Sequence, residues 1–167
     1  FARSLGAEHV IVIGGTASRL ALCETFGATV TLNRRELSEP ERLDIVRGMT
    51  GGRGADVVVE AAGTNGAALE GIRLLRKGGT LLSVGYSQPA GTEAVDFYRD
   101  IVARNATVRG VWVSDARHLS MALSLVASDP ERFGAMVTHR FSLDRADEAL
   151  VVMEKHEAVK AVLVFDE

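Results

Sequence analysis

Short apolar runs alternate with longer amphipathic stretches along most of this chain. Two of the runs, at residues 54–63 and 76–85, are rich in Val and Leu and end in small residues. An apolar run of this length is typical of a parallel strand that is buried on both faces. The segment between the two runs carries apolar residues at helical spacing. The pattern therefore predicts parallel strands joined by helices, which is an α/β fold.

The same periodicity predicts the elements over the rest of the chain. Residues 2–5 are expected to be the last turn of a helix that Gly6 ends. A helix that includes Leu75 is expected to end at Lys77-Gly78-Gly79. Further helices are predicted over residues 16–26, 40–49, 97–103, 118–127 and 142–153. Strands are predicted at residues 10–13, 29–32, 57–60, 80–84, 107–113, 137–141 and 159–165, all in one parallel sheet.

Composition narrows the class of protein. A chain of 167 residues without a Pro/Gly-rich linker is expected to be one domain, residues 1–167. The net charge of −3 argues against nucleic-acid binding, and no apolar run approaches the length of a membrane span. No signal peptide is recognisable, and the single cysteine excludes an internal disulfide. A cytoplasmic protein is therefore expected.

No metal site or catalytic residue is predicted within the chain. Zinc needs three or four ligands at workable spacing, whereas Cys23 stands alone on a predicted helix with Leu20 and Phe26 at helical offsets. We therefore expect Cys23 to be a buried apolar residue. The four histidines are scattered and form no His-x-x-x-His pair.

Five stretches, taken in order, form a recognisable set. The most specific is residues 50–63, which read Thr-Gly-Gly-Arg-Gly-Ala-Asp-Val-Val-Val-Glu-Ala-Ala-Gly. The set resembles the coenzyme-binding domain of the medium-chain dehydrogenase/reductase superfamily, in its zinc-type alcohol dehydrogenase branch. Glu60 favours this branch over the quinone-reductase relatives. The other stretches are residues 5–7, residues 19–28, residues 75–85, and residues 137–141 with 148–149 and 160–162.

The resemblance implies a Rossmann-type doubly wound parallel sheet that lacks its first strand and its glycine-rich turn. It implies an oxidoreductase that transfers hydride between an alcohol or carbonyl substrate and NAD or NADP. Zinc is expected only in an N-terminal catalytic domain, which this chain does not contain. We therefore expect part of a longer enzyme or a truncated product, inactive by itself. The alternatives are a non-catalytic nucleotide-binding or oligomerisation module and a zinc-free quinone-reductase-like enzyme.

Small and polar residues follow the strand predicted at residues 10–13, where dinucleotide folds bind the adenosine ribose. Gly14 and Gly15 stand where an acidic residue commonly binds the ribose hydroxyls and repels a 2′-phosphate. Thr16 and Arg19 can donate hydrogen bonds, and Arg19 adds charge suited to a phosphate or a ribose. We expect these residues to bind the adenosine end of NAD or NADP. The alternative is a plain turn followed by a solvated arginine.

The resemblance also implies which backbone segments face the nicotinamide. Small residues after two strands would let the coenzyme lie against the main chain, and the carbonyl of Val84 would meet the carboxamide. Lys160 falls where the family often has a basic residue near the pyrophosphate. Ordinary strand-end turns, and a solvated lysine, are the alternatives. The positions expected at the nicotinamide end are Ala62, Gly63, Val84, Gly85, Tyr86, Val111 and Val113.

A missing first strand has structural consequences. In the strand order 3-2-1-4-5-6 the first strand is central, so residues 10–13 and 57–60 would each have an unpaired edge. The isolated chain is therefore not expected to be a stable monomer unless those strands pair directly or borrow a strand. The family commonly forms dimers through the last sheet strand, here near Ile101 to Val113. Arg109 is the only charge in that predicted strand and is expected to guard its edge.

Overall fold

The computed structural model describes residues 1–165, so the last two residues of the predicted domain lie outside it. Strands and helices alternate as the apolar pattern predicted. A π-helical turn covers Phe97–Val102, and a 3-10 turn covers Leu143–Arg145. The strands are β1 (Ile11–Gly14), β2 (Val30–Asn33), β3 (Ala55–Glu60), β4 (Leu75–Ser83), β5 (Thr107–Gly110), β6 (Val137–Ser142) and β7 (Lys160–Val164). The helices are α1 (Ala17–Thr25), α2 (Glu39–Met49), α3 (Asn65–Leu74), α4 (Ala116–Ser128), α5 (Pro130–Gly134) and α6 (Ala146–Glu154).

Every strand pair within the described residues is parallel. The strands form three groups, β1–β2, β3–β4–β5 and β6–β7. Ile11 lies opposite Val30 in the first group, and Leu81 lies between Val58 and Val108 in the second. The predicted α/β class with parallel strands is therefore confirmed. The prediction of one continuous sheet is wrong, because helical periodicity and strand length do not encode which strands become neighbours.

The groups β1–β2 and β3–β4–β5, together called the main sheet below, are not joined by hydrogen bonds between β1 and β3 among the described residues. Within residues 1–165, β1 pairs only with β2, and β3 pairs only with β4. Each of the two strands therefore has one unpaired edge, as expected for a doubly wound sheet without its central strand. In the part of the chain that the structure describes, β1 and β3 do not pair directly, which was one of the expected ways to close the sheet.

One hydrophobic core nevertheless joins the two parts of the main sheet. Leu32 of β2, Val46 of α2 and Leu74 of α3 are buried together, and side chains from β1 and β3 pack against them. A second cluster centres on Leu81 of β4, which is 1% exposed. Gly71 lets α3 approach this cluster closely, because a Cβ there would lie 2.9 Å from Leu81 Cδ1. Helices α2 and α3 therefore cover the same face of the sheet.

A buried ion pair links these two helices. The Arg42 guanidinium donates from Nε to Glu70 Oε1 at 2.6 Å and from Nη2 to Glu70 Oε2 at 2.7 Å. A third donor, Nη1, bonds the carbonyl oxygen of Leu37. The hydrogen bond with Glu70 raises the pKa of Arg42. A bidentate geometry of this kind fixes the relative position of α2 and α3 as well as adding energy.

On the face of the β3–β4–β5 group that points away from α2 and α3, side chains of β3 are exposed. Val57 and Val59 of β3 are 56% and 58% exposed. Helix α4 contains no buried residue, although Leu119, Leu123 and other apolar side chains project from it. No helix within residues 1–165 is both long and apolar enough to cross a bilayer.

Strands β6 and β7 with helix α6 form a separate unit that packs on α1. Arg19 of α1 donates from Nη2 to the carbonyl oxygen of Ala158 at 2.6 Å. Phe26 and Phe133 make an edge-to-face contact with their ring centroids 5.3 Å apart. These contacts hold α5 and the β6–β7–α6 unit beside the β1–β2 pair, although within residues 1–165 β6 and β7 do not pair with strands of the main sheet.

Several boundaries differ from the sequence prediction. Helix α3 ends at Leu74, and β4 already begins at Leu75, because Gly78 and Gly79 lie in an irregular part of the strand rather than at a helix end. Strand β5 ends at Gly110, three residues before the end predicted from the sequence. Pro130 begins the short helix α5, where its missing N–H costs nothing.

Candidate functional site

The turns after β3, β4 and β5 lie side by side. Because these three strands are parallel neighbours, their carboxyl ends meet at one edge of the sheet. Pairing persists to the ends, with Glu60 opposite Ser83 and Ser83 opposite Gly110. The structure therefore brings together most of the residues predicted at the nicotinamide end. In open α/β sheets this edge is the usual place for a ligand.

Two glycines bring the turn after β3 into contact with the turn after β4. These are called the first turn and the second turn below. A Cβ on Gly63 would lie 2.5 Å from the carbonyl oxygen of Gly85, and one on Gly85 would lie 2.4 Å from the Gly63 nitrogen. Gly63 also has a φ of +70°, which L side chains rarely adopt. The sequence prediction assigned these small residues to close approach of a coenzyme. The contact between the two turns is a further, purely internal reason for glycine at both positions.

Glu60 holds the first turn in place. Its Oε1 accepts hydrogen bonds from the backbone N–H groups of Ala62 at 2.7 Å and Gly63 at 2.6 Å. The Ser83 hydroxyl lies 3.4 Å from Oε2. Glu60 is 3% exposed, so these bonds satisfy a carboxylate that has little access to water. Sequence reasoning used this residue only to distinguish branches of a family and missed its part in shaping the site.

Tyr86 closes the second turn against the start of α3. Its hydroxyl donates to Asn65 Oδ1 at 2.8 Å, and Asn65 Nδ2 donates to the carbonyl oxygen of Ala90 at 3.1 Å. Burial, and then the nearby Glu60 carboxylate, raise the pKa of Tyr86. The phenol is therefore a neutral hydrogen-bonding group at physiological pH. Its ring borders the turn that contains Val84 and Gly85.

The backbones of Val84 and Val111 lie at the same edge of the sheet and are held there by hydrogen bonds. Val84 donates its N–H to the Glu60 carbonyl at 2.9 Å, and Val111 donates to the Ser83 carbonyl at 2.9 Å. Among the hydrogen bonds described for residues 1–165, none is accepted by the Val84 carbonyl. Val113 has a φ of +49°, an unusual value for a β-branched residue. Strained conformations of this kind concentrate at ligand sites and interfaces.

A second group of residues lies at the carboxyl ends of β1 and β2. Gly14 ends β1, Gly15 follows it, and Thr16 precedes the first turn of α1. A Cβ on Gly15 would lie 3.0 Å from Arg34 Nε and 3.5 Å from Arg35 Nε. The first turn of α1 contains no acidic residue. The neighbourhood therefore combines a helix N-terminus with two guanidinium groups, an arrangement that favours anions.

The Arg19 side chain contacts the backbone just before Lys160. Arg19 bonds the carbonyl oxygen of Ala158, two residues before Lys160, which begins β7 and is exposed. The structure thus brings Arg19 to the chain segment that leads into Lys160. Arg19 Nε is buried without a hydrogen-bond partner among the described residues. Whether either side chain meets a coenzyme stays a prediction.

Neither of two open depressions in the surface coincides with these turns. One is lined by residues including Leu143 and Val164, and the other by residues including Arg53 and Arg76. The candidate site is therefore defined by the row of main-chain turns after β3, β4 and β5 and by neither depression. Within residues 1–165, no three His, Cys, Asp or Glu side chains come together to hold a metal ion. Burial raises the pKa of the Cys23 thiol, which makes it a poor metal ligand.

Comparison with known proteins identifies the fold. An alcohol dehydrogenase from Thermotoga maritima superposes with a TM-score of 0.95 at 44% sequence identity, over 99% of this chain and 45% of that chain. The protein is thus built like the coenzyme-binding domain of alcohol dehydrogenases. A zinc-binding dehydrogenase family model matches residues 1–128. The chain belongs to the zinc-binding dehydrogenase family, as the sequence resemblance predicted.

Curated relatives are dehydrogenases of several kinds. The 5-exo-hydroxycamphor dehydrogenase of Pseudomonas putida is 32% identical over 164 residues, which cover 97% of this chain and 45% of that protein. The L-threonine 3-dehydrogenase of Bacillus subtilis is 28% identical over 167 residues, covering 98% and 46%. The chain therefore spans less than half the length of these relatives. Their names differ in substrate, so family membership does not identify one.

Proposed function

We propose that this chain is the coenzyme-binding part of an NAD(P)-dependent oxidoreductase that acts on an alcohol or carbonyl substrate. The observation that carries the proposal is the row of turns after β3, β4 and β5, where Gly63 and Gly85 bring two backbones into contact. When bound, a nicotinamide coenzyme supplies the hydride acceptor or donor. Residues 1–167 are proposed as a single partial domain of this kind.

The residues of this chain would bind and orient the coenzyme. The free carbonyl of Val84 offers an acceptor to the carboxamide, and the turns at Ala62 and Val111 to Val113 leave main chain open beside it. Glu60 keeps the first turn rigid, so little conformational entropy is lost when the coenzyme binds. Gly14, Gly15, Thr16 and Arg19 would receive the adenosine end, and Lys160 the pyrophosphate. A catalytic zinc and the proton donor of the reaction would be supplied by residues outside this chain.

Coenzyme titration of the complete polypeptide that carries this chain tests the proposal. Fluorescence of NADH and NADPH should change saturably on binding. Gly85→Ala should weaken binding at least about tenfold, because the second turn must move away from the first. Gly66→Ala is the matched control, since a Cβ there meets nothing within 4 Å. If the folded protein binds neither NADH nor NADPH, the proposed function is contradicted.

The outer edge of β5 supports a second proposal, self-association. All four residues of β5 are exposed, and within the described residues the strand pairs only with β4. The unpaired N–H and C=O groups of such an edge are a template for pairing with a second copy, and a single charged side chain, Arg109, lies in the strand. We propose a homodimer through this strand and the segment up to Val113. Light scattering should report a dimer, and Val108→Lys should shift it toward monomer; a monomeric parent protein would contradict this assignment.

A further inference from the structure

The carboxyl ends of β1 and β2 carry a charge arrangement that the sequence prediction did not include. Arg34 follows β2 directly, and its backbone N–H donates to the Gly14 carbonyl at 2.8 Å. This bond fixes the first residue after β2 beside the last residue of β1. The side chain then returns over Gly15, where its Nε and Nη2 lie 3.0 and 3.5 Å from the position of an added Cβ.

Arg35 joins the same group. Its Nε lies 3.5 Å from the same point on Gly15, and its backbone N–H donates to Asn33 Oδ1 at 3.0 Å. Asn33 Nδ2 in turn donates to Glu36 Oε1 at 2.5 Å. The nearest acidic residue in the sequence is therefore bonded to an amide and holds the turn. Within residues 1–165 no ion pair involves Arg34 or Arg35, and both are exposed.

These observations bear on the choice between NAD and NADP. A carboxylate after this strand binds the ribose hydroxyls of NAD and repels a 2′-phosphate. Here glycines occupy the end of β1, and two guanidinium groups face the vacated position. A guanidinium matches the planar, multi-oxygen geometry of a phosphate and binds it bidentately. The exposed positions also let both side chains move onto a ligand without breaking an existing ion pair.

We propose that Arg34 and Arg35 bind the 2′-phosphate of NADP(H) and make this coenzyme the preferred one. The proposal rests on the proposed coenzyme-binding function and deepens it. Arg19, the cation that the sequence prediction favoured for this role, donates from Nη2 to the Ala158 carbonyl. The discriminating charge therefore lies on the turn after β2 rather than on α1.

Another cationic group does not offer an equivalent site. Arg76 lies near Arg53 and Lys77, but its guanidinium is already paired with the Asp56 carboxylate. That group also lies at the amino-terminal edge of the sheet, away from the strand-end turns. It provides a matched control, because Arg53 is an exposed arginine of the same charge.

The test compares the affinity of the complete polypeptide for NADPH and NADH in the same buffer. NADPH should bind about 10- to 100-fold more tightly, as expected for two charge-assisted contacts. Arg34→Ala with Arg35→Ala should remove most of this difference while leaving NADH affinity within about twofold. Arg53→Ala should leave both affinities unchanged. Adenosine 2′,5′-bisphosphate should compete with NADPH better than 5′-AMP does, and inorganic phosphate should compete weakly.

A variant at Gly15 tests the same idea without removing an arginine. Gly15→Asp would place a carboxylate between the two guanidinium groups, where it occupies their donors and repels a phosphate. We expect this variant to lose the preference for NADPH and to fold normally, as judged by circular dichroism, because its Cβ meets only flexible side-chain ends. NADH binding as tight as NADPH binding in the parent protein would overturn the inference and leave the proposed function intact. Binding of neither coenzyme would refute the proposed function itself.

Discussion

The backbone of Gly63 occupies the space that a side chain at residue 85 would need: an added Cβ on Gly85 would lie 2.4 Å from the Gly63 nitrogen. Two strand-end turns thus interlock through main chain alone. The interlock keeps the carboxyl ends of β3 and β4 flush, and it leaves no side chain between them. This is the feature on which the candidate site depends.

Replacing Gly85 with Ala should destabilise the protein. The obstructing atoms are backbone, which cannot move aside as a side-chain terminus can, so we expect a loss of about 1–3 kcal/mol in the free energy of unfolding. Urea unfolding of the two proteins measures this. Gly66→Ala, in α3 with nothing within 4 Å, should be neutral or stabilising by up to about 1 kcal/mol. Equal effects at the two glycines would contradict the interlock.

Removing the Glu60 carboxylate should destabilise the first turn more than replacing the carboxylate with an uncharged amide does. Glu60→Ala leaves the N–H groups of Ala62 and Gly63 without their acceptor, at about 1–3 kcal/mol for each unsatisfied group. Glu60→Gln keeps an acceptor oxygen and should cost about 1 kcal/mol. Unfolding curves and coenzyme affinity should both follow the order parent, Gln, Ala. A Gln variant as damaged as the Ala variant would show that charge rather than acceptor geometry matters.

The ion pair between Arg42 and Glu70 should respond asymmetrically to mutation. Its side chains are 8% and 15% exposed, so Glu70→Ala leaves an almost buried cation without a partner and should cost about 3–5 kcal/mol. Replacing both residues, as Arg42→Met with Glu70→Leu, should recover most of that loss. Arg73, whose pair with Glu39 is far more exposed, supplies the control: Arg73→Ala should cost at most about 1 kcal/mol.

Acid should weaken the start of α2. Glu41 accepts hydrogen bonds from the Ser38 hydroxyl and then the Ser38 backbone N–H, which lower its pKa in the folded state. A group with a lowered folded pKa stabilises the protein above its unfolded pKa of about 4.3 and loses that contribution as pH falls through the lower folded pKa. The melting temperature should therefore decrease below about pH 4. Glu41→Gln should flatten this part of the profile, and an unchanged profile would contradict the assignment.

Much of the local structure could be predicted from the pattern of apolar residues. The runs at residues 57–60 and 80–84 lie in strands that small residues follow, because short apolar runs bounded by glycine are typical of strands buried in a parallel sheet. The helix end predicted at Lys77-Gly78-Gly79 failed, because β4 already begins at Leu75 and a register shift in its pairing with β3 outweighs periodicity there.

The sequence by itself determined the order of elements, the parallel class and the small residues at the strand ends. Only the tertiary structure decided that β1 and β3 remain unpaired, that β6 and β7 stand apart, and that Glu60 holds the first turn. It also brought the guanidinium groups of Arg34 and Arg35, which follow β2, over Gly15, which follows β1. Periodicity reports the conformation of neighbouring residues, whereas contacts between strand ends depend on the path of the connections and on packing between distant segments.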